Sequence, residues 1–193
     1  MTEKEKSANG LLYLPFEPEL NAERAAARRI WYEYNNLSPA EHEARGRDIL
    51  RGLLGKTGKT FAVEIPFRCE YGYNIEIGER FFSNYNLVIL DNAKVTIGDD
   101  VLIAPNVGIY TAGHPLDAER RNAAIEYAYP VTIGDSVWIG GGAQIMPGVT
   151  IGSGTVIGAG SIVVKDIPGG VLAVGNPCRV VRKITEDDIK KYR

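Results

Sequence analysis

The sequence predicts a mainly β protein: a coil of short parallel strands with helices before it and a short helix after it. Three observations carry this. An aliphatic residue recurs every six positions, at Ile97, Ile103 and Ile109 and again at Ile133, Ile139, Ile145, Ile151, Ile157 and Val163. Most of the 22 glycines fall after Gly52. The first sixty residues hold good helix formers and helix-capping patterns instead.

The elements follow in order. Residues 21–34 are dense in Ala, Arg and Glu, and Ala27, Ile30, Trp31 and Tyr34 recur at helical spacing, so they form one apolar stripe. Ser38-Pro39-Ala40-Glu41 opens a second helix. Ser38 caps it, Pro39 suits its first turn, and Glu41 completes a capping box. That helix is expected to reach Leu54, with Gly55 as its stop. His42 lies in the charged run 41–45 and is expected to be a solvated surface residue.

The coil comes next. A period of six fits neither a helix at about 3.6 residues per turn nor an alternating strand. It fits a prism of three short sides, with aliphatic residues inward and small residues where the backbone turns. The fourth place after each key residue is also small or β-forming: Val101, Val107, Val137, Ala143, Val149, Thr155, Ser161 and Ile167. A further set at Ile65, Tyr71, Ile77, Ser83 and Ile89 keeps the period with an offset of two. Roughly 120 residues at about 18 per turn give six or seven turns. A β-sandwich of short strands is the alternative architecture. Between Ile109 and Ile133 the register breaks, and residues 110–130 are expected to leave the coil as an extended loop. Thr185 to Asp188 cap a final helix. The expected organisation is therefore a helical segment over 1–58, a β-helix over 59–184 and a helix over 185–193.

Composition narrows the function. Lys plus Arg is 22 against 24 for Asp plus Glu, a formal net charge of -2, which argues against a nucleic-acid binder. No stretch approaches the roughly 18 apolar residues of a membrane span, and no secretory pattern opens the chain, so a cytoplasmic location is expected. Cys69 and Cys178 form no C-x-x-C motif and read as buried fillers. No metal is expected: a γ-type carbonic anhydrase needs three histidines, and this chain has only His42 and His114.

Three runs of the chain carry a resemblance: Ile97 to Val107 followed by Thr111-Ala-Gly-His114-Pro115, Val131 to Gly142, and Gly175-Asn-Pro-Cys-Arg179-Val. Together they resemble the hexapeptide-repeat acetyltransferases, and in particular the maltose/galactoside O-acetyltransferase group. The segments around Ala8 to Tyr13 and at Tyr34-Asn35 resemble that group too. The resemblance implies a left-handed parallel β-helix, against the usual crossover hand. It also implies a homotrimer with active sites between subunits, and acetyl-CoA as the donor to a sugar hydroxyl.

The site residues follow from the same match. His114, in the expected loop, is the general base. Transfer from a thioester to an alcohol needs a group that takes the hydroxyl proton near neutral pH, and no acyl-enzyme nucleophile. Glu126 in the same loop could orient it or act as a solvent-facing carboxylate. Backbone N–H groups around Gly140-Gly141-Gly142 are candidates for the oxyanion. The resemblance assigns acetyl-CoA to Trp138, Gly141, Ala159, Val164, Lys165, Arg179 and Arg182, the last three basic and suited to phosphates. It assigns the acceptor to Glu70, Asn84 and Asn92. Asn84 and Asn92 also suit a turn at a coil corner, and Trp138 suits ordinary packing. Asn92 and Pro15 stand where the galactoside branch carries carboxylates, which departs from a galactoside site. An acetyltransferase for another hydroxyl or amine, or an inert β-helix assembly module, are the alternatives.

Overall fold

The computed structural model describes residues 1–191. The last two residues of the helix expected over 185–193 lie outside the described residues.

Three helices come first: α1 (Glu3–Ala8), α2 (Pro18–Asn35) and α3 (Pro39–Leu53). The first is absent from the sequence-based expectation. It is only six residues long and owes its start to a Thr2–Glu5 capping box, too short a segment to show periodicity. The Ser38–Glu41 box opens α3 as its sequence dictates. Ala27 and Tyr34 of α2 are buried, with Ile30 and Trp31 packed at the margin. Leu50 and Leu53 of α3 join the same core, so the two helices close the first end of the coil. His42 corrects the expectation of a solvated residue. Its Nε2 lies 2.9 Å from the Tyr34 hydroxyl and 3.2 Å from the Val63 carbonyl, so it is half-buried and ties α3 to the coil.

The coil has three faces, and consecutive strands fill them in rotation. The first turn is Phe61–Val63, Phe67–Cys69 and Ile75–Ile77; the second is Phe81–Ser83, Leu87–Leu90 and Val95–Ile97. The third is Leu102–Ile103, Gly108–Tyr110 and Val131–Ile133; the fourth is Trp138–Ile139, Gln144–Ile145 and Thr150–Ile151. Val156–Ile157, Ile162–Val163 and the bridge of Ile167 to Ile151 make the fifth, and Val171–Val174 begins a sixth. The count falls at the lower end of the expected range. Within each face the strands are parallel and in register, as in Ile75↔Val95↔Val131.

The period of six has a direct physical result. All nine residues of the series from Ile97 to Val163 are 2% exposed or less. Each contributes about 2 kcal/mol of apolar burial. The corners between sides demand positive φ, taken by Asn86, Asn106, Gly142 and Gly160 at one edge. Asn tolerates that conformation better than other side chains. At Gly140 an added Cβ would sit 2.5 Å from the backbone nitrogen of Ala159, so the stacking of turns itself requires glycine there.

The chain leaves the coil between the strands Gly108–Tyr110 and Val131–Ile133. Between Tyr110 and Val131 the strands Ala112–Gly113 and Tyr127–Ala128 pair antiparallel, and α4 (Ala118–Asn122) sits at the tip, capped by Asp117. At the far end Val171–Val174 pairs antiparallel with Arg179–Lys183, and α5 (Glu186–Lys190) follows. No helix among the described residues is long and apolar enough to cross a membrane.

Candidate active site

The expected site residues sort onto two edges of the prism. The edge between the first and second faces carries Asn84, Pro105, Gly141, Ala159 and the turn 175–178. Its corners stack by backbone bonds: Asn84 N–H to the Ile103 carbonyl at 2.8 Å, Gly142 N–H to Pro105 at 2.9 Å, Gly160 N–H to Gly141 at 2.8 Å and Ile162 N–H to Gly175 at 3.0 Å. Arg179 follows that last turn, opposite Val174. This edge is a column of small residues. A Cβ added at Gly141 would meet only the Pro105 carbonyl at 3.3 Å and the Ala104 methyl at 4.0 Å.

Of the three expected oxyanion donors, two are already used inside the coil. Gly140 N–H donates to Ile157 at 2.8 Å and Gly142 N–H to Pro105. Among the described residues the Gly141 N–H has no acceptor, so it alone is open. The Asn84 Oδ1 accepts from the Tyr85 N–H at 2.7 Å, which fixes the corner and leaves the amide nitrogen without a partner among the described residues.

The edge between the second and third faces carries Glu70, Asp91, Asn92, the His114 loop, Val164 and Lys165. Asp91 is buried and organises it. Its Oδ1 accepts from the N–H groups of Glu70 and Tyr71 at 2.9 Å each, and its Oδ2 from Gly72 at 2.7 Å. Glu70 lies 3.4 Å from Arg24 Nε on α2, and burial pushes its carboxyl up against the pull of that arginine. Val164 and Lys165 are exposed beyond the strand Ile162–Val163.

His114 stands half-exposed on the excursion. Its Nδ1 lies 3.0 Å from the Ile125 carbonyl. A carbonyl only accepts, so Nδ1 carries the proton and Nε2 presents its lone pair. Glu126 Oε1 lies 3.9 Å from that Nε2. Glu126 is held from behind: its Oε2 accepts from the Tyr13 hydroxyl at 2.6 Å, and the backbones of Tyr13 and Glu126 exchange two N–H···O bonds of 3.0 Å. Asn92 is 8% exposed and turned inward, its amide nitrogen 3.0 Å from the Tyr13 oxygen and 3.5 Å from Glu126 Oε2. Sequence reasoning missed Tyr13, because nothing local marks a contact with a residue 113 positions away.

Trp138 and Arg182 belong to the first face. Trp138 is 53% exposed in a ladder of outward residues, Ala62, Phe82, Leu102, Trp138, Val156 and Leu172. Arg182 stands opposite Leu172 and makes a two-pronged pair with Asp188 of α5 at 2.7 and 2.6 Å. Among the described residues no hydrogen bond or ion pair joins His114 to Asn84, Gly141, Ala159 or Arg179. A concavity of about 700 Å³ along the outer side of α2 is lined by Arg24, which pairs with Glu70. No cluster of three or more His, Cys, Asp or Glu among the described residues is arranged to hold a metal.

Residues 6–58 match the maltose acetyltransferase hexapeptide capping motif, and residues 130–165 match the bacterial transferase hexapeptide of six repeats. The galactoside O-acetyltransferase of Escherichia coli K12 is 45% identical over 192 residues, covering 100% of this chain and 93% of its own. A maltose O-acetyltransferase structure from Clostridium difficile 630 superposes with a TM-score of 0.94 at 55% identity, over 96% of this chain and 99% of that one. A galactoside acetyltransferase structure in complex with coenzyme A gives 0.96 at 44% identity, over 100% and 96%. The helical cap and the six-residue coil are therefore those of this family, and the chain belongs to the maltose/galactoside O-acetyltransferase family.

Proposed function

We propose that the chain moves an acetyl group from acetyl-CoA to a hydroxyl of a sugar, with His114 as the general base, in a homotrimer whose sites lie between copies. The observation that carries this is the 3.0 Å contact of His114 Nδ1 with the Ile125 carbonyl, which in the neutral ring keeps the proton on Nδ1 and leaves Nε2 as the acceptor.

The first edge fits the donor. Gly141 and Ala159 leave room for a narrow arm along the backbone, and their N–H groups have no acceptor among the described residues. Arg179 and Arg182 would hold phosphates at its end, Arg182 by exchanging Asp188 for them. Trp138 on the first face, with Val164 and Lys165 on the other edge of the neighbouring copy, would complete the set. When bound, acetyl-CoA supplies an activated acetyl thioester. His114 Nε2 takes the proton of the attacking hydroxyl and holds it for the leaving thiolate. The Gly141 N–H is the donor available to developing negative charge on the acetyl oxygen. Asn84 of one copy and Glu70 on the other edge of its neighbour would bind acceptor hydroxyls, whose many donors and acceptors suit an amide and a carboxylate together.

The trimer rests on two features. His114 and the small-residue column lie on different edges of one prism, so one chain offers two half-sites. The first face leaves an apolar ladder with Leu102 49% exposed and Trp138 53% exposed, which a neighbouring copy would cover.

The test is thiol release from acetyl-CoA across a panel of mono- and disaccharides and their amino analogues. Release with a neutral sugar, giving an O-acetyl product, is expected. Release only with amines would replace the acceptor, and none with any acceptor would remove the proposal.

A further inference from the structure

The segment that precedes α2 forms a strap over the base of the His114 loop. Tyr13 is 2% exposed and pairs antiparallel with Glu126 through both backbone N–H groups. Its hydroxyl meets Glu126 Oε2 at 2.6 Å. Burial first, and the adjacent carboxylate second, push the phenol far up, so it remains an O–H donor throughout the working range. Asn92 adds a second donor, an amide N–H, to the same cluster, and Ser7 of α1 donates to the Asn92 backbone carbonyl at 2.8 Å. Two donors therefore converge on one carboxylate oxygen, on the side away from His114.

The other oxygen, Oε1, is left at 3.9 Å from His114 Nε2. That separation is too long for a hydrogen bond and short enough for Coulombic attraction to an imidazolium. A carboxylate free to close the gap would hydrogen-bond the protonated ring and keep it protonated in the resting enzyme. A carboxylate held further off would give little stabilisation once the proton is taken. Charged groups near this pair are Glu70, which feels Glu126, Arg24 and Arg28 near Glu70, and Arg121, which donates to the Leu116 carbonyl two residues after His114.

We infer that Tyr13, with Asn92, is a positioning residue for the transfer: it holds Glu126 at a fixed distance from His114, near enough to stabilise the imidazolium and too far to bind it at rest. This rests on His114 being the base. It also gives Asn92 a task inside the protein in place of contact with the acceptor.

The experiment compares pH profiles of turnover for the unmodified protein, Tyr13→Phe, Glu126→Gln and the double variant, with saturating acetyl-CoA. Tyr13→Phe keeps the buried ring and deletes one O–H. It should lower kcat at neutral pH about tenfold, leave the KM for acetyl-CoA unchanged, and move the basic limb to higher pH, because the released carboxylate closes on Nε2. Glu126→Gln should move the limb to lower pH, because the attracting charge is gone. The double variant should match Glu126→Gln, since Tyr13 then has nothing to hold. A limb unmoved by Tyr13→Phe, or moved equally by it in the Glu126→Gln background, overturns the inference. Asn92→Ala, which removes the second donor, should shift the limb as Tyr13→Phe does but by less, and it serves if Tyr13→Phe does not fold. A limb that survives in His114→Ala would remove both the base and this inference; a limb lost there but insensitive to Tyr13 would remove this inference alone.

Discussion

His114 concentrates the chemistry into one ring whose tautomer is set by a carbonyl of its own loop. His114→Ala should lower turnover by roughly two to four orders of magnitude, the usual worth of a positioned base. Acetyl-CoA binding should barely change, measured by calorimetry, because the imidazole meets the reacting centre and not the nucleotide. The rise of turnover with pH should vanish with the ring, and His42 offers no substitute, being committed to Tyr34 and Val63. The phosphate end gives a separate test. Among the described residues the Arg179 side chain donates to the neighbouring Cys178 carbonyl at 2.8 Å. Arg179→Ala should weaken acetyl-CoA about tenfold more than a dephospho analogue, and equal loss for both would show that Arg179 does not read phosphate.

At the scale of elements, the His114 edge depends on Asp91, a buried carboxylate that closes three backbone N–H groups from successive residues of the turn below. Asp91→Ala leaves those donors without a partner, which should cost about 3 kcal/mol or more of stability, read by urea unfolding. Burial pushes this carboxyl up while the three N–H groups oppose it, so Asp91→Asn, which keeps one acceptor oxygen, should cost less. The coil itself was legible in the sequence, because a period of six is written in inward side chains from Ile97 to Val163 that must be aliphatic. The capping box at Ser38 was legible for the same local reason. His114 stands at a marked place, in the break of the period, whereas Asn84 is singled out by the family resemblance alone, since an asparagine at a coil corner reads first as a turn residue. The strap was not legible. Tyr13, Asn92 and Glu126 meet through the closure of the coil, and each reads alone as an ordinary helix-flanking, turn or loop residue. His42 misled because its neighbours in sequence are charged while its neighbour in space is the core tyrosine of α2.

On the scale of the whole molecule, the prism separates what the chemistry must join. Asn84, Gly141, Ala159 and Arg179 run along one edge, and Glu70, His114 and Lys165 along the next, with the second face between them. The proposed three-fold assembly would bring the two kinds of edge together at each interface, with the apolar ladder from Ala62 to Leu172 as the surface it would bury. The most direct measurement is complementation between two inactive chains. His114→Ala removes the base, and Gly141→Trp fills the small-residue column of the other edge. Each alone should be inactive. Co-expressed in equal amounts and purified as mixed assemblies, they should regain about a third of the unmodified activity, since about one interface in three of a mixed trimer pairs an intact loop with an intact column. Mixed assemblies of confirmed composition that show no activity above either parent would place the whole site within one chain and contradict the account.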